Sequence, residues 1–151
     1  MANTTFQGVV RTYGGGGKGV STPAPVTTTV QFACDPTAAS ATNVRIGTSS
    51  SSGETLVIPA GAIILNVQTI QAAAGGTNPT IDVGTSADPD GIVNEAPVDV
   101  KGEITGANGA LIVAGGLAAQ ATVTAKVGAS AATSGTFVGA LTYAMSNDGV
   151  E

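Results

Sequence analysis

Residues 54–84, ETLVIPAGAIILNVQTIQAAAGGTNPTIDVG, hold the densest run of branched aliphatic side chains in the chain. Such side chains favour the pleated strand, and the punctuation inside the stretch divides it into three. Residues 56–58 end at Pro59, Ala60 and Gly61. Proline cannot donate to a ladder and glycine permits a turn, so the chain reverses or steps sideways there. Beyond it, Ile63, Leu65, Val67 and Thr69 alternate with Ile64, Asn66, Gln68 and Ile70. The first set predicts a core face and the second a face that is wet in its middle. Gly75, Gly76, Asn78 and Pro79 mark the exit, and residues 80–83 resume an alternation that Gly84 closes. The stretch reads as sheet rather than as a chemical site.

A chain of 151 residues accommodates one domain with one core. That core must be built from small side chains, because aromatics are 3% of the sequence, tryptophan is absent and the 42% apolar share is mostly alanine, valine, isoleucine and leucine. With 22 glycines to order and few large side chains to bury, the monomer has modest reserves against conformational entropy. Subunit contacts are therefore expected to add stability, which predicts a homo-oligomer.

Histidine is absent and Cys34 is the single cysteine. Zinc clusters, Ser-His or Cys-His catalysis and intramolecular disulfides leave together, and with them most enzyme chemistry. An unpaired cysteine of this kind is expected to be a small buried hydrophobe. No apolar run approaches a membrane span, and the N-terminus lacks the charged and apolar regions of a signal peptide. The expectation is a soluble chain that is not secreted by a signal peptide, with no membrane partner.

Residues 1–25, MANTTFQGVVRTYGGGGKGVSTPAP, have no periodicity that folds alone. Phe6, Val9, Val10 and Tyr13 nevertheless supply anchors that a disordered tail lacks, which predicts an extended N-terminal arm that docks on a neighbour. Charge agrees. Residues 1–50 carry Arg11, Lys18 and Arg45 against Asp35, whereas residues 51–151 carry Lys101 and Lys126 against nine acids. Phe6, Val9 and Tyr13 are the expected apolar contacts of the arm, and Arg11 and Lys18 its charge partners for acidic neighbours.

Gly14, Gly15, Gly16, Gly17, Lys18 and Gly19 invite comparison with a phosphate loop, but Thr12 stands where the first glycine is needed and Gly19 where Ser or Thr is needed. The run reads as a hinge or a close backbone approach. In the loop 84–91, Asp88, Pro89, Asp90 and Gly91 make a tight turn, Pro fixing φ and Gly closing it. A cation site there would draw on Asp82, Asn94 and Glu95 as well, but the ligand offsets do not match an EF-hand. Asp88 with Asp90, or Glu95 with Asp99, could form an acid/base pair, yet no aromatic sugar platform accompanies them. Five basic residues in an acidic chain leave no footprint for nucleic acid. The expectation is no catalysis, no cofactor, no metal and no nucleic-acid partner.

The remaining strands are short. Residues 26–32 alternate Val26, Thr28, Val30 and Phe32 with Thr27, Thr29 and Gln31, and Asp35 with Pro36 ends them. Residues 43–46 form a short strand and residues 111–113 another. Residues 119–127 place Ala119, Ala121, Val123, Ala125 and Val127 inward. Residues 136–145 place Phe137, Gly139, Leu141, Tyr143 and Met145 on one face, and the two segments are expected to form a hairpin with a long connection. Short strands, frequent turn signals and no sustained helical period predict an all-β fold: a single antiparallel β-sandwich, jelly-roll-like, over residues 26–151 after the arm of residues 1–25.

The opening MANTTFQGVVRTYGGGGKG, the middle TLVIPAGAIILNVQTIQAAAGGTNPTIDVGTSADPDGIV and the thin Ala/Thr/Gly-rich C-terminal segment together resemble small virion proteins of tailed bacteriophages, in particular head decoration (cement) proteins of podovirus-like phages. The resemblance runs over most of the chain and carries no catalytic residues. It implies a structural protein on the capsid exterior that binds the major capsid protein, bridges neighbouring subunits and acts as a homotrimer or other homo-oligomer with an extended terminus. A tail or fibre domain that displays loops to a host receptor is the alternative.

Overall fold

The longest unbroken ladder starts at Val26, where nine residues without a charge, VTTTVQFAC, run as strand β1 (Val26–Cys34). The computed structural model describes residues 26–71, 76–99, 102–104, 107–128 and 130–145. The N-terminal arm of residues 1–25 lies outside them. After β1 come β2 (Thr42–Asn43), β3 (Arg45–Ile46), β4 (Val57–Ile58), β5 (Ala62–Gln71), β6 (Thr80–Gly84), β7 (Val93–Pro97), β8 (Gly102–Ile104), β9 (Ala121–Thr122), β10 (Thr124–Val127) and β11 (Phe137–Met145). Their order is β3-β1-β11-β5-β8 in one sheet, β2-β10-β6-β7 in a second and β4-β9 in a small third. All of these ladders are antiparallel. The protein is an all-β antiparallel sandwich, as its sequence predicts.

One core joins the two larger sheets. Phe32, Ile64, Val67, Phe137 and Leu141 enter it from the first, and Ile81, Val83, Ala96 and Ala125 from the second. Two residues carry the chain from sheet to sheet. Val44 separates β2 from β3, donates its N–H to the Val123 carbonyl at 3.0 Å and accepts the Leu56 N–H at 2.8 Å. Val123 separates β9 from β10 and donates to the Leu56 carbonyl at 2.9 Å. The expected strands 43–46 and 119–127 are thus each broken at a buried valine whose backbone bonds turn to a different neighbour.

The alternation of β5 changes phase midway, which corrects the sequence reading. Leu141 pairs with Val67 and Thr142 with Asn66, but Tyr143 pairs with Ile64, so Leu65 has no partner. This extra residue is a bulge, and a bulge moves the side chains beyond it to the other face. Val67 and Thr69 are buried as expected, whereas Ile64 is buried in place of Ile63 and Leu65, and Leu65 is 38% exposed.

Two further expectations fail. Segments 119–127 and 136–145 do not form a hairpin, because β10 pairs with β2 and β6 while β11 lies between β1 and β5. The connection crosses from one sheet to the other, where Ala132 donates to the Pro36 carbonyl at 3.1 Å. Residues 111–113 are not a strand. Ile112 donates to the Gly109 carbonyl in a turn, and Val113 takes a φ of 61° and is 69% exposed. Only single contacts tie them to β5, through the Ile64 and Ile112 bridge and the Val113 N–H on the Ile64 carbonyl at 2.8 Å.

Phe32 and Gly139 show how a core with few aromatics is filled. The two are directly opposite in the β1–β11 ladder. A Cβ on Gly139 would meet Phe32 Cε1 at 2.7 Å and the Gln68 carbonyl oxygen at 2.9 Å, so the ring lies on bare backbone. Gly139→Ala is expected to cost about 1–3 kcal/mol by overpacking. Denaturant midpoints would show it, and in a double-mutant cycle Phe32→Leu should relieve part of the loss.

Candidate interface

A sheet edge exposes unpaired N–H and C=O groups, and natural proteins blunt edges with charge, proline, bulges or short strands. Most edges here carry such devices. The β7 edge has Pro97 and Glu95, and a bulge sets Asp82 against both Asn94 and Glu95. There Glu95 takes a φ of 46° and donates its N–H to Asp82 Oδ1 at 2.8 Å. Strand β8 is three residues long and holds Glu103. Strands β2 and β3 are two residues each, and Arg45 of β3 donates to the Thr55 hydroxyl at 3.0 Å.

The β1 edge is different. Strand β3 covers β1 only at Phe32 and Ala33, and the Gly47 N–H reaches the Gln31 carbonyl at 2.9 Å. Residues 26–30 have β11 on one side and, among the described residues, no strand on the other. No charged residue or proline stands in β1.

The outward face of the same sheet continues this character. Register places Thr29, Thr142 and Asn66 in one row and Gln31, Ala140 and Gln68 in the next. The Thr29 and Thr142 hydroxyls are 2.9 Å apart. Strands β1, β11 and β5 contain no charged residue along their whole lengths. Charge lies elsewhere, on Glu103 and Arg45 at the margins and on Asp82, Lys126 and Glu95 of the other sheet. Depletion of charge is one compositional mark of a protein interface centre.

Of the residues expected to bind a partner, Phe6, Val9, Arg11, Tyr13 and Lys18 all lie outside the described residues. Their segment enters β1 at Val26, and the ladders place Val26, Met145 and Ala62 side by side. The open edge next to that entry point was not identified from the sequence. Its signal was available in the six uncharged residues that follow Pro25, VTTTVQ.

The loop after β6 forms the expected turn. Gly91 donates to the Asp88 carbonyl at 3.2 Å, Thr85 donates to the same carbonyl at 2.8 Å, and the Asp88 N–H returns to Thr85 Oγ1 at 3.2 Å. Asp82, nine-tenths buried, spends its Oδ1 on the bulge. Asp88 and Asp90 do meet. Partial burial, followed by the hydrogen bond and negative charge of Asp90, raises the Asp88 carboxyl above its ordinary value. Among the described residues no three His, Cys, Asp or Glu side chains are grouped to hold a metal ion. Cys34 is 1% exposed, and burial, helped by the charge of Asp35, pushes its thiol far above the ordinary value. It is the buried hydrophobe that the sequence predicts. No helix among the described residues is long and apolar enough to cross a membrane.

No protein-family model matches the chain, and no curated protein sequence does. Among solved structures, the fold is similar to a chain of the cyanophage Pam1 capsid asymmetric unit. The TM-score is 0.52 at 15% identity, over 93% of this chain and 97% of that one. At that identity the likeness is one of fold, and it extends over nearly the whole of both chains.

Two outcomes are expected of the acidic side chains. Asp82→Ala leaves the Glu95 N–H without its acceptor and should cost about 1–3 kcal/mol, measured by denaturant unfolding. Asp88 binds its proton more tightly folded than unfolded. Its contribution is therefore present at acidic pH and is lost as pH rises from the unfolded carboxyl value, about 3.9, through the raised folded value. Thermal melts of Asp88→Asn across that window should lack this loss.

Proposed function

We propose that this chain is a structural bacteriophage virion protein that coats the capsid exterior, binds the major capsid protein and bridges neighbouring subunits. The observation that supports this most directly is the end-to-end fold likeness to a chain of a cyanophage capsid asymmetric unit. The match spans nearly all of that chain, so the likeness is to a protein of comparable length and not to one part of a larger subunit. A head position is preferred to a tail or fibre domain for the same reason.

The mechanism is contact area, with no catalytic step. Each copy adds an interface, and attachment at many points around a shell turns modest single-site affinity into a persistent coat. A homo-oligomer suits this role, a trimer where the site is a local three-fold axis. The basic N-terminal segment supplies the attachment, with Phe6, Val9 and Tyr13 filling apolar sites on a neighbour and Arg11 and Lys18 meeting its acidic groups.

Purified protein added to undecorated phage heads should bind with a copy number that scales with the number of capsid subunits. Removal of residues 1–19 should lower occupancy at matched concentration. Unchanged occupancy would assign attachment to the sandwich instead of the N-terminal segment. Absence of binding by the full chain would overturn the capsid reading.

A further inference from the structure

Backbone groups along a strand point alternately to its two sides. The Gln31 carbonyl accepts the Gly47 N–H on the side of β1 away from β11. Thr29 and Thr27 therefore turn their N–H and C=O groups the same way, beyond the end of β3. The side chains of Thr27 and Thr29 are exposed on the outward face of the sheet. Val30, on the inward face, packs against the core, and Val26 on that face is 52% exposed.

We propose that residues 26–30 of β1 form a two-fold contact between copies of this chain, the strand pairing antiparallel with its own counterpart about Thr28. In this register Val26 faces Val30 of the second copy and Thr27 faces Thr29. Several independent features agree on it. Thr27 and Thr29 both direct backbone groups outward, so opposite one another they form a hydrogen-bonded pair that exchanges both N–H···O bonds. Like side chains meet like, valine on the inward face and threonine on the outward one, and the exposed Val26 gains an apolar neighbour. A shift of two residues would set Val26 against Thr28 and lose that match.

The ends of the contact fit as well. The Gln31 carbonyl is already taken by the Gly47 N–H, so the pairing ends where Val30 stands opposite Val26 of the second copy. Charge points to a second copy as the occupant. The chain carries a net charge of −5, and two acidic bodies approach with least repulsion along the sheet whose central strands carry none. An edge kept this clean, where β7 holds Glu95 and Pro97, β8 holds Glu103 and β3 holds Arg45, fits a strand with a partner.

A five-residue strand pair is well below the area of a standard stable interface, so the contact is concentration-dependent. Copies held side by side gain it through effective concentration. It is isologous, so it leaves a three-fold assembly intact and joins one such assembly to the next. Because it belongs to the free protein, it stands independently of the capsid reading.

Cysteine cross-linking in the full chain tests it. Thr28 faces itself across the axis at a non-hydrogen-bonded position, where Cα atoms lie about 4.5 Å apart, within the range of a disulfide. Cys34 is buried and does not compete. Mild oxidation should convert Thr28→Cys to a covalent dimer on a non-reducing gel, while Thr27→Cys and Val30→Cys, whose counterparts are offset, remain monomeric on the same gel. Thr29→Pro removes an N–H that faces the open edge and takes nothing from the β11 ladder. Added to Thr28→Cys, it should slow cross-linking by about tenfold or more, through the backbone bonds it denies the contact, with the circular dichroism spectrum unchanged.

Cross-linking at position 28 no faster than at 27 or 30 would overturn the proposal. So would hydrogen-exchange protection of the Thr27 and Thr29 amides at every concentration without cross-linking, which would place residues 1–25 of the same chain on the edge. Protection that appears only on phage heads, again without cross-linking, would assign the edge to a capsid strand and also overturn it. Should Thr29→Pro fail to fold, the comparison of positions 27, 28 and 30 decides alone.

Discussion

The ladder that joins β1 to β11, continued from β11 to β5, is the interaction on which the rest of the molecule depends. It places the three longest strands side by side, with nine residues of β1 in unbroken register against β11. Phe32, Phe137, Leu141, Ile64 and Val67 all reach the core from these strands. The ladder tolerates a thin complement of large side chains because Phe32 packs directly over Gly139, where the neighbouring strand offers backbone instead of a side chain. A close-packed interior loses contacts wherever a gap opens, so ring and glycine act as one unit.

Around this ladder the chain uses irregularities to place strands in two sheets. The bulge at Leu65 turns Ile64 inward and leaves Leu65 at the surface. The second bulge, at Asp82, is held by a buried carboxylate and not by backbone pairing alone. Val44 and Val123 act as corners at which the ladder partner changes while the side chain stays in the core. Each device breaks strict alternation locally and so lets short strands cover both sides of one small core.

The surface divides by charge. Strands β1, β11 and β5 present threonine, asparagine, glutamine, alanine and the exposed Ile70 and carry no charge, whereas charge stands at the margins of their sheet, on Arg45 and Glu103, and on Asp82, Glu95 and Lys126 of the other sheet. A protein that works by contact needs at least one surface that can be desolvated without stranding a charge. The uncharged sheet and its open edge meet that need, and the segment expected to reach a partner enters the fold at the end of the same edge.

Alternation, turn chemistry and composition determined much of this protein. The all-β class, the turn at Asp88, the face of β11 and the burial of Cys34 follow from the period of two, from the needs of proline and glycine, and from the fate of an unpaired thiol. These are properties of neighbouring residues. Tertiary structure decided the rest. Whether Ile64 or Leu65 enters the core depends on an extra residue absorbed against β11, and nothing local to residues 62–71 announces it. The hairpin expected between the last two long segments is absent because β1 and β5 occupy both sides of β11, a competition between strands far apart in sequence. The open edge has the same origin. Residues 26–30 carry an uncharged pattern that can be read directly, but only the short reach of β3 leaves their backbone without a second neighbouring strand among the described residues, and pairing between distant strands is a property of the assembled sheet.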